Sequence, residues 1–178
     1  MTKSKIQKLV KDNMMLIILI LLVIIFCIWS PNFRSLKNIM NICTQNAYFI
    51  IATIGVALIM ISGGTDLSVG QAMAVIGVSI ALFMQNAGLP VVVAIILGVV
   101  IGIILGCFNG FAANLLRIHP MIVTLATMTL FKGISYTLSG SKSFYDFPES
   151  YIGIGQGYVG PVSIPVIIVI VVAVVIHL

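Results

Sequence analysis

Charge is what this sequence has least of. Asp, Glu, Lys and Arg make up only 7% of its 178 residues, nine of them basic and four acidic. A soluble domain carries ~25% charged residues, so this chain lacks the side chains that keep a globular surface in water. The basic residues give a net charge of +5, but they are too few and too scattered for a patch that tracks phosphates, which excludes nucleic acid as a partner. Cys27, Cys43 and Cys107 have no metal-ligand spacing, and an odd count argues against a disulfide framework. They read as small buried hydrophobes. Walker loops, nucleophile–base pairs and metal-binding clusters are all missing. No catalytic residue, metal or cofactor is therefore expected, and no enzyme activity.

Apolar sequence fills the space. Hydrophobic residues make up 61% of the chain and the mean hydropathy is +1.25. The solvent that suits such a chain is a lipid bilayer. A spanning helix needs about 20 apolar residues, with a range of about 17–25. On that measure the sequence predicts an all-α, polytopic transmembrane bundle of about six spans: 14–29, 47–62, 69–84, 90–116, 121–138 and 162–178. Pro31, Pro90, Pro120 and Pro161 punctuate span boundaries, where a missing N–H costs little. Trp29 and Tyr48 lie at span ends, as in an aromatic belt.

Lys3, Lys5, Lys8 and Lys11 precede the first apolar run, which places the N-terminus in the cytoplasm by the positive-inside rule. With Arg117 they make five basic residues inside, against Arg34, Lys37 and Lys142 outside. The first run is not a cleaved signal peptide, because "FCIWSPNF" offers no small-x-small site. The last, "PVIIVIVVAVVIHL", lacks the polar anchors that flank a span. It reads as an internal span of a longer chain, cut at about half its natural length.

Two spans carry small residues at helical spacing. In the fourth, Ala94, Gly98, Gly102, Gly106 and Gly110 recur every four residues. In lipid, close backbone approach is what draws helices together, so this is a packing seam. It winds slowly round its helix, because four residues overshoot a turn by about 40°. In the third span, Gly70, Ala74, Gly77 and Ala81 share one face.

The most informative stretch is "GGTDLSVG", residues 63–70. It separates two short spans: Ala47 to Met84 is 38 residues, barely two crossings at about 20 each. The stretch therefore sits at the membrane edge or within it. Gly63 and Gly64 close one helix. Ser68 and Gln71 match an S-x-x-Q capping box that opens the next, and Asp66 faces that helix's positive end. Capping explains the polar groups. So does a pathway, because non-helical backbone at membrane depth is tolerated where it is buried in protein or lines a watery cavity. Elsewhere, Asn109 and Asn114 are placed to bond across helices. Lys132 reads as snorkelling to the interface, and Arg117 as a cytoplasmic anchor. His119 has no partner that would make it a ligand. Thr124, Thr127 and Thr129 are expected to bond their own helix carbonyls.

"GGTDLSVG", followed about forty residues later by "NGFAANLLRIHPMIVTLATMTLFKGISYTLSG", resembles the permease subunit of ribose-type ABC sugar importers. Thr65 stands where that family usually has Ile, and His119-Pro120-Met121 where it often has Pro-Pro-Phe. The resemblance covers most of the chain from about residue 35. It implies a multi-pass subunit of the bacterial cytoplasmic membrane that forms a translocation pathway for a simple sugar. It implies three partners: a cytoplasmic ATP-binding subunit, an extracytoplasmic sugar-binding protein and a second permease copy. It makes Gly63, Gly64, Asp66, Leu67, Ser68 and Gly70 the signature. The loop with Tyr145, Asp146, Glu149, Tyr151 and Tyr158 can help dock the binding protein, or serve as an interfacial loop with tyrosine anchors. Two other readings remain: an ion-coupled secondary transporter built on a broken helix, and a non-transporting assembly subunit held by its glycine seams.

Overall fold

In a computed structural model, residues 11–177 are described. Lys3, Lys5 and Lys8, three of the basic residues placed inside, lie outside this range, as does Leu178. Contacts divide the chain into two units, one up to Gln45 and one from Asn46 onward.

The first unit contains α1 (Met14–Trp29), which is apolar throughout and has no buried residue. Its 16 residues rise about 24 Å. Pro31 disfavours helical geometry at the residue before it, and Ser30 is extended, its N–H closing on the Phe26 carbonyl. Ser35 then opens α2 (Leu36–Ile61): its hydroxyl oxygen accepts the Asn38 N–H at 3.2 Å, which satisfies one of the free donors at a helix start. Hydropathy draws the second span only from Ala47. The helix begins eleven residues earlier because Asn38, Asn41, Thr44, Gln45 and Asn46 lower the hydropathy without breaking the helix.

The second unit is built round three helices: α3 (Val69–Gln85), α4 (Val91–Leu116) and α5 (Pro120–Ser139). α3 packs mainly on α5 and α4, and α4 and α5 touch less. Val75, Ala81 and Met84 of α3 are buried in this core with Ala94 of α4 and with Val123 and Phe131 of α5. Hydroxyl side chains fill the gaps. Ser79, Thr127 and Ser135 are buried, and each bonds a carbonyl of its own helix. Short side chains of this kind let backbones approach closely in lipid. Most large apolar side chains point outward; Ile96, Ile103, Ile122 and Leu125 are all more than half exposed. That is the inverse of a soluble protein and suits a lipid surround.

Beyond α5 the chain forms α6 (Glu149–Gln156), a two-residue hairpin of β1 (Tyr158–Val159) and β2 (Val162–Ser163), and α7 (Ile164–His177). The stretch between the fifth and sixth expected spans thus has a helix and a hairpin of its own, and α7 starts two residues later than the apolar run. Gly160, at φ +63°, makes the hairpin turn. Among the described residues α2, α4 and α5 are long and apolar enough to cross a membrane, and α1, α3 and α7 are shorter apolar helices. The molecule is an all-α membrane bundle.

Candidate functional site

The segment between α2 and α3 is unwound. Gly63 has φ +86°, a conformation open to glycine at no steric cost. The Gly64 N–H reaches back to the Ile59 carbonyl and the Gly63 N–H to that of Met60, a glycine closure of the helix end. A Cβ on Gly64 would lie 3.2 Å from Ile59 Cγ2 and 3.8 Å from Pro120 Cβ, so the unwound segment and the start of α5 meet here.

Asp66 organises the rest. Its Oδ1 accepts two bonds of 2.7 Å, from the Ser68 N–H and from the Ser68 hydroxyl. The S-x-x-Q pair does not form its capping box: Ser68 makes no side-chain bond to the helix N-terminus, and its hydroxyl oxygen accepts from Asn109 Nδ2 instead. The carboxylate takes over as acceptor at the start of α3, where the helix dipole favours negative charge. Asn109 of α4 reaches across. Its Nδ2 donates to Ser68 Oγ at 2.8 Å and to Asp66 Oδ2 at 3.5 Å. Thr124 of α5 grips the same segment from the other side. Its Oγ1 accepts the Leu67 N–H and lies 3.2 Å from the Thr65 carbonyl. Thr124 Oγ1 also lies 3.2 Å from the Met121 carbonyl of its own helix, the bond expected of a helical threonine; nothing in its local sequence marks the contacts to Thr65 and Leu67.

These contacts floor a cavity of about 530 Å³. Ser62 to Asp66 form one wall, the C-terminal half of α4 another, and Pro120 and Thr124 the start of a third. Asn114 and Arg117 line it as well. Arg117 ends α4 in the left-handed region at φ 53°, and His119 caps α5, its Nδ1 accepting the Met121 N–H at 3.3 Å.

The α4 seam changes duty along its length. Ala94 and Gly98 are buried. A Cβ on Gly98 would sit 2.5 Å from Ile80 Cδ1, and one on Gly102 would sit 3.2 Å from Ile76 Cδ1. Gly106 and Gly110 meet nothing within 4 Å and line the cavity instead. On α3, Gly70 and Gly77 are open in the same sense. Lys132 is exposed, with Nζ 6.0 Å from the Tyr136 ring centre. The site offers hydrogen-bond donors and acceptors and one carboxylate. Among the described residues no group of three or more His, Cys, Asp or Glu is placed to hold a metal.

An unwound, glycine-bounded polar break inside an all-α membrane bundle is an arrangement found in membrane transport proteins. The family described as branched-chain amino acid transport system / permease component matches residues 38–178, and the chain belongs to it. It is 39% identical over 155 residues to the ribose import permease protein of Bacillus subtilis, covering 84% of this chain and 47% of that one. It is 35% identical over 135 residues to an inner membrane ABC transporter permease protein of Escherichia coli, covering 74% of this chain and 41% of that one. The galactose/methyl galactoside import permease protein of Escherichia coli is 28% identical over 173 residues, covering 89% and 52%. The chain spans about half the length of these relatives. No solved structure matches it significantly.

Proposed function

We propose that this chain is part of the permease subunit of an ATP-driven sugar importer in the bacterial cytoplasmic membrane. It forms one side of the translocation pathway and performs no chemistry of its own. The observation that carries this reading is the placement of the GGTDLSVG segment. It is unwound, pinned by Asn109 and Thr124, and set at a cavity that carries a carboxylate, amides and a guanidinium in a bundle otherwise faced for lipid.

The six apolar helices α1–α5 and α7 are the spans, with the N-terminus in the cytoplasm. Gly63, Gly64, Asp66, Ser68 and Gly70 belong to the pathway. The seam from Ala94 through Gly98 and Gly102 to Gly106 and Gly110 packs helices at one end and borders the pathway at the other. A cytoplasmic ATP-binding subunit drives the cycle. An extracytoplasmic sugar-binding protein delivers the solute, and a second permease copy completes the pore.

A sugar is the favoured solute because relatives carry ribose and galactoside import in their names, whereas the family description speaks of branched-chain amino acids. Uptake of labelled ribose, galactose and leucine by cells carrying the complete transporter separates the two. The expected result is sugar uptake that unlabelled leucine does not compete with, and that disappears when the ATP-binding subunit is deleted. Uptake that persists unchanged without that subunit overturns the reading in favour of an ion-coupled carrier.

A further inference from the structure

The bond pattern at the cavity floor leaves one atom over. Asn109 is 7% exposed, and its carboxamide orientation is fixed by chemistry rather than by choice. The Ser68 hydroxyl spends its proton on Asp66 Oδ1, so toward Asn109 it can only accept. The carboxylate also accepts only. The side of Asn109 that faces them must therefore be its NH₂. Its Oδ1 is buried and has no hydrogen-bond partner. Asp66 is unevenly used as well: Oδ1 takes two bonds of 2.7 Å, while the contact to Oδ2 is 3.5 Å long. Two acceptors beside one cavity thus lack a good donor.

The cavity has room for a ligand, since about 530 Å³ falls within the range of about 300–1,000 Å³ typical of small-molecule pockets. Its wall also carries donors, the Asn114 amide and the Arg117 guanidinium. A polyhydroxylated ligand suits all four groups, because each hydroxyl can donate to an acceptor and accept from a donor. A monovalent cation would satisfy the two acceptors but not the donors.

We propose that this cavity is a solute subsite for a neutral polyhydroxylated molecule, with Asn109 Oδ1 and Asp66 Oδ2 as hydroxyl acceptors. Asn109 lines the cavity and its Oδ1 is buried, so a hydroxyl reaches that atom only with a local shift of the lining. The proposal rests on the sugar-importer reading and adds to it where the sugar pauses.

The test uses the complete transporter in membrane vesicles, with Cys27, Cys43 and Cys107 replaced by serine. Gly110→Cys is the reporter, and Gly106→Cys replaces it if the first fails to assemble; a Cβ meets nothing within 4 Å at either position. The rate of modification by N-ethylmaleimide is measured with and without ribose, galactose or sodium chloride. The expected result is protection by the transported sugar, about tenfold slower at ten times its dissociation constant, and loss of that protection in Asn109→Leu. Uptake of sugar with no protection at either cysteine overturns the subsite and leaves the importer reading standing. Absence of any sugar uptake by the intact transporter overturns the importer reading itself. Protection by sodium chloride and not by sugar makes this a cation site and overturns the proposal.

Discussion

Asp66 and Ser68 form the smallest unit that has to be right. Ser68 is 1% exposed and links a carboxylate on its own segment to an amide on α4. Ser68→Ala removes that link and leaves Asn109 Nδ2 buried with only the 3.5 Å contact. Stranding a buried donor costs about 1–3 kcal/mol, and thermal unfolding in detergent should show a loss of that order. Ser79→Ala is the control. That hydroxyl is also buried, but it only bonds the Val75 carbonyl one turn back at 2.8 Å, so its loss should change stability little. Asp66→Asn keeps an acceptor for Ser68 and sets an NH₂ group against the Asn109 NH₂. Uptake should fall while the protein still assembles; unchanged uptake would favour a passive capping role. The importance of the octapeptide is legible in the sequence, because a charge between glycines in so apolar a chain has to be accounted for. Its partners are less so. Asn109 stands out as a polar residue in an apolar helix, but Thr124 lies 57 residues from Leu67 and has the local pattern of an ordinary helical threonine.

Elements add what no single residue shows. The period of four from Ala94 to Gly110 is visible in the sequence, yet the change of duty near Gly102 is not. It depends on the height at which Ile76 and Ile80 of α3 meet α4, and so on how α3 leaves the unwound segment. Gly98→Ala pushes a methyl to 2.5 Å from Ile80 Cδ1 and 2.6 Å from Cγ1. Overpacking of this kind costs about 1–3 kcal/mol. Ile80→Ala in the same chain should recover part of that loss, giving a coupling that a double-mutant cycle reads directly. Gly106→Ala, one turn beyond the isoleucines, should leave stability unchanged and even gain slightly from helix propensity. If Gly98→Ala and Gly106→Ala cost the same, the seam is not divided as described. The early start of α2 was hidden for a related reason. Hydropathy measures lipid solubility, whereas a helix needs only tolerable propensity and a cap, and Ser35 provides the cap.

At the scale of the whole molecule the two kinds of turn sort to opposite ends of the three-helix core. Gly64 approaches Pro120 and Thr65 bonds Thr124, so the α2–α3 and α4–α5 junctions lie together. At the far end the Gln85 side chain donates to the Tyr145 carbonyl, joining the α3–α4 and α5–α6 junctions. This pairing is what alternating crossings require, and it holds whichever way the bundle faces. The proposed cytoplasmic N-terminus makes the first end, where Arg117 sits, the cytoplasmic one and puts Lys142 outside. Cysteines at Ser62 and His119 should therefore react with an impermeant thiol reagent only in inside-out vesicles. Cysteines at Asn86 and Ser141 should react only in right-side-out ones. If all four report the reverse, the fold stands and the orientation is inverted. If Ser62 and His119 report opposite sides, the unwound segment and the start of α5 are not neighbours, and the cavity between them cannot be the cytoplasmic end of a pathway.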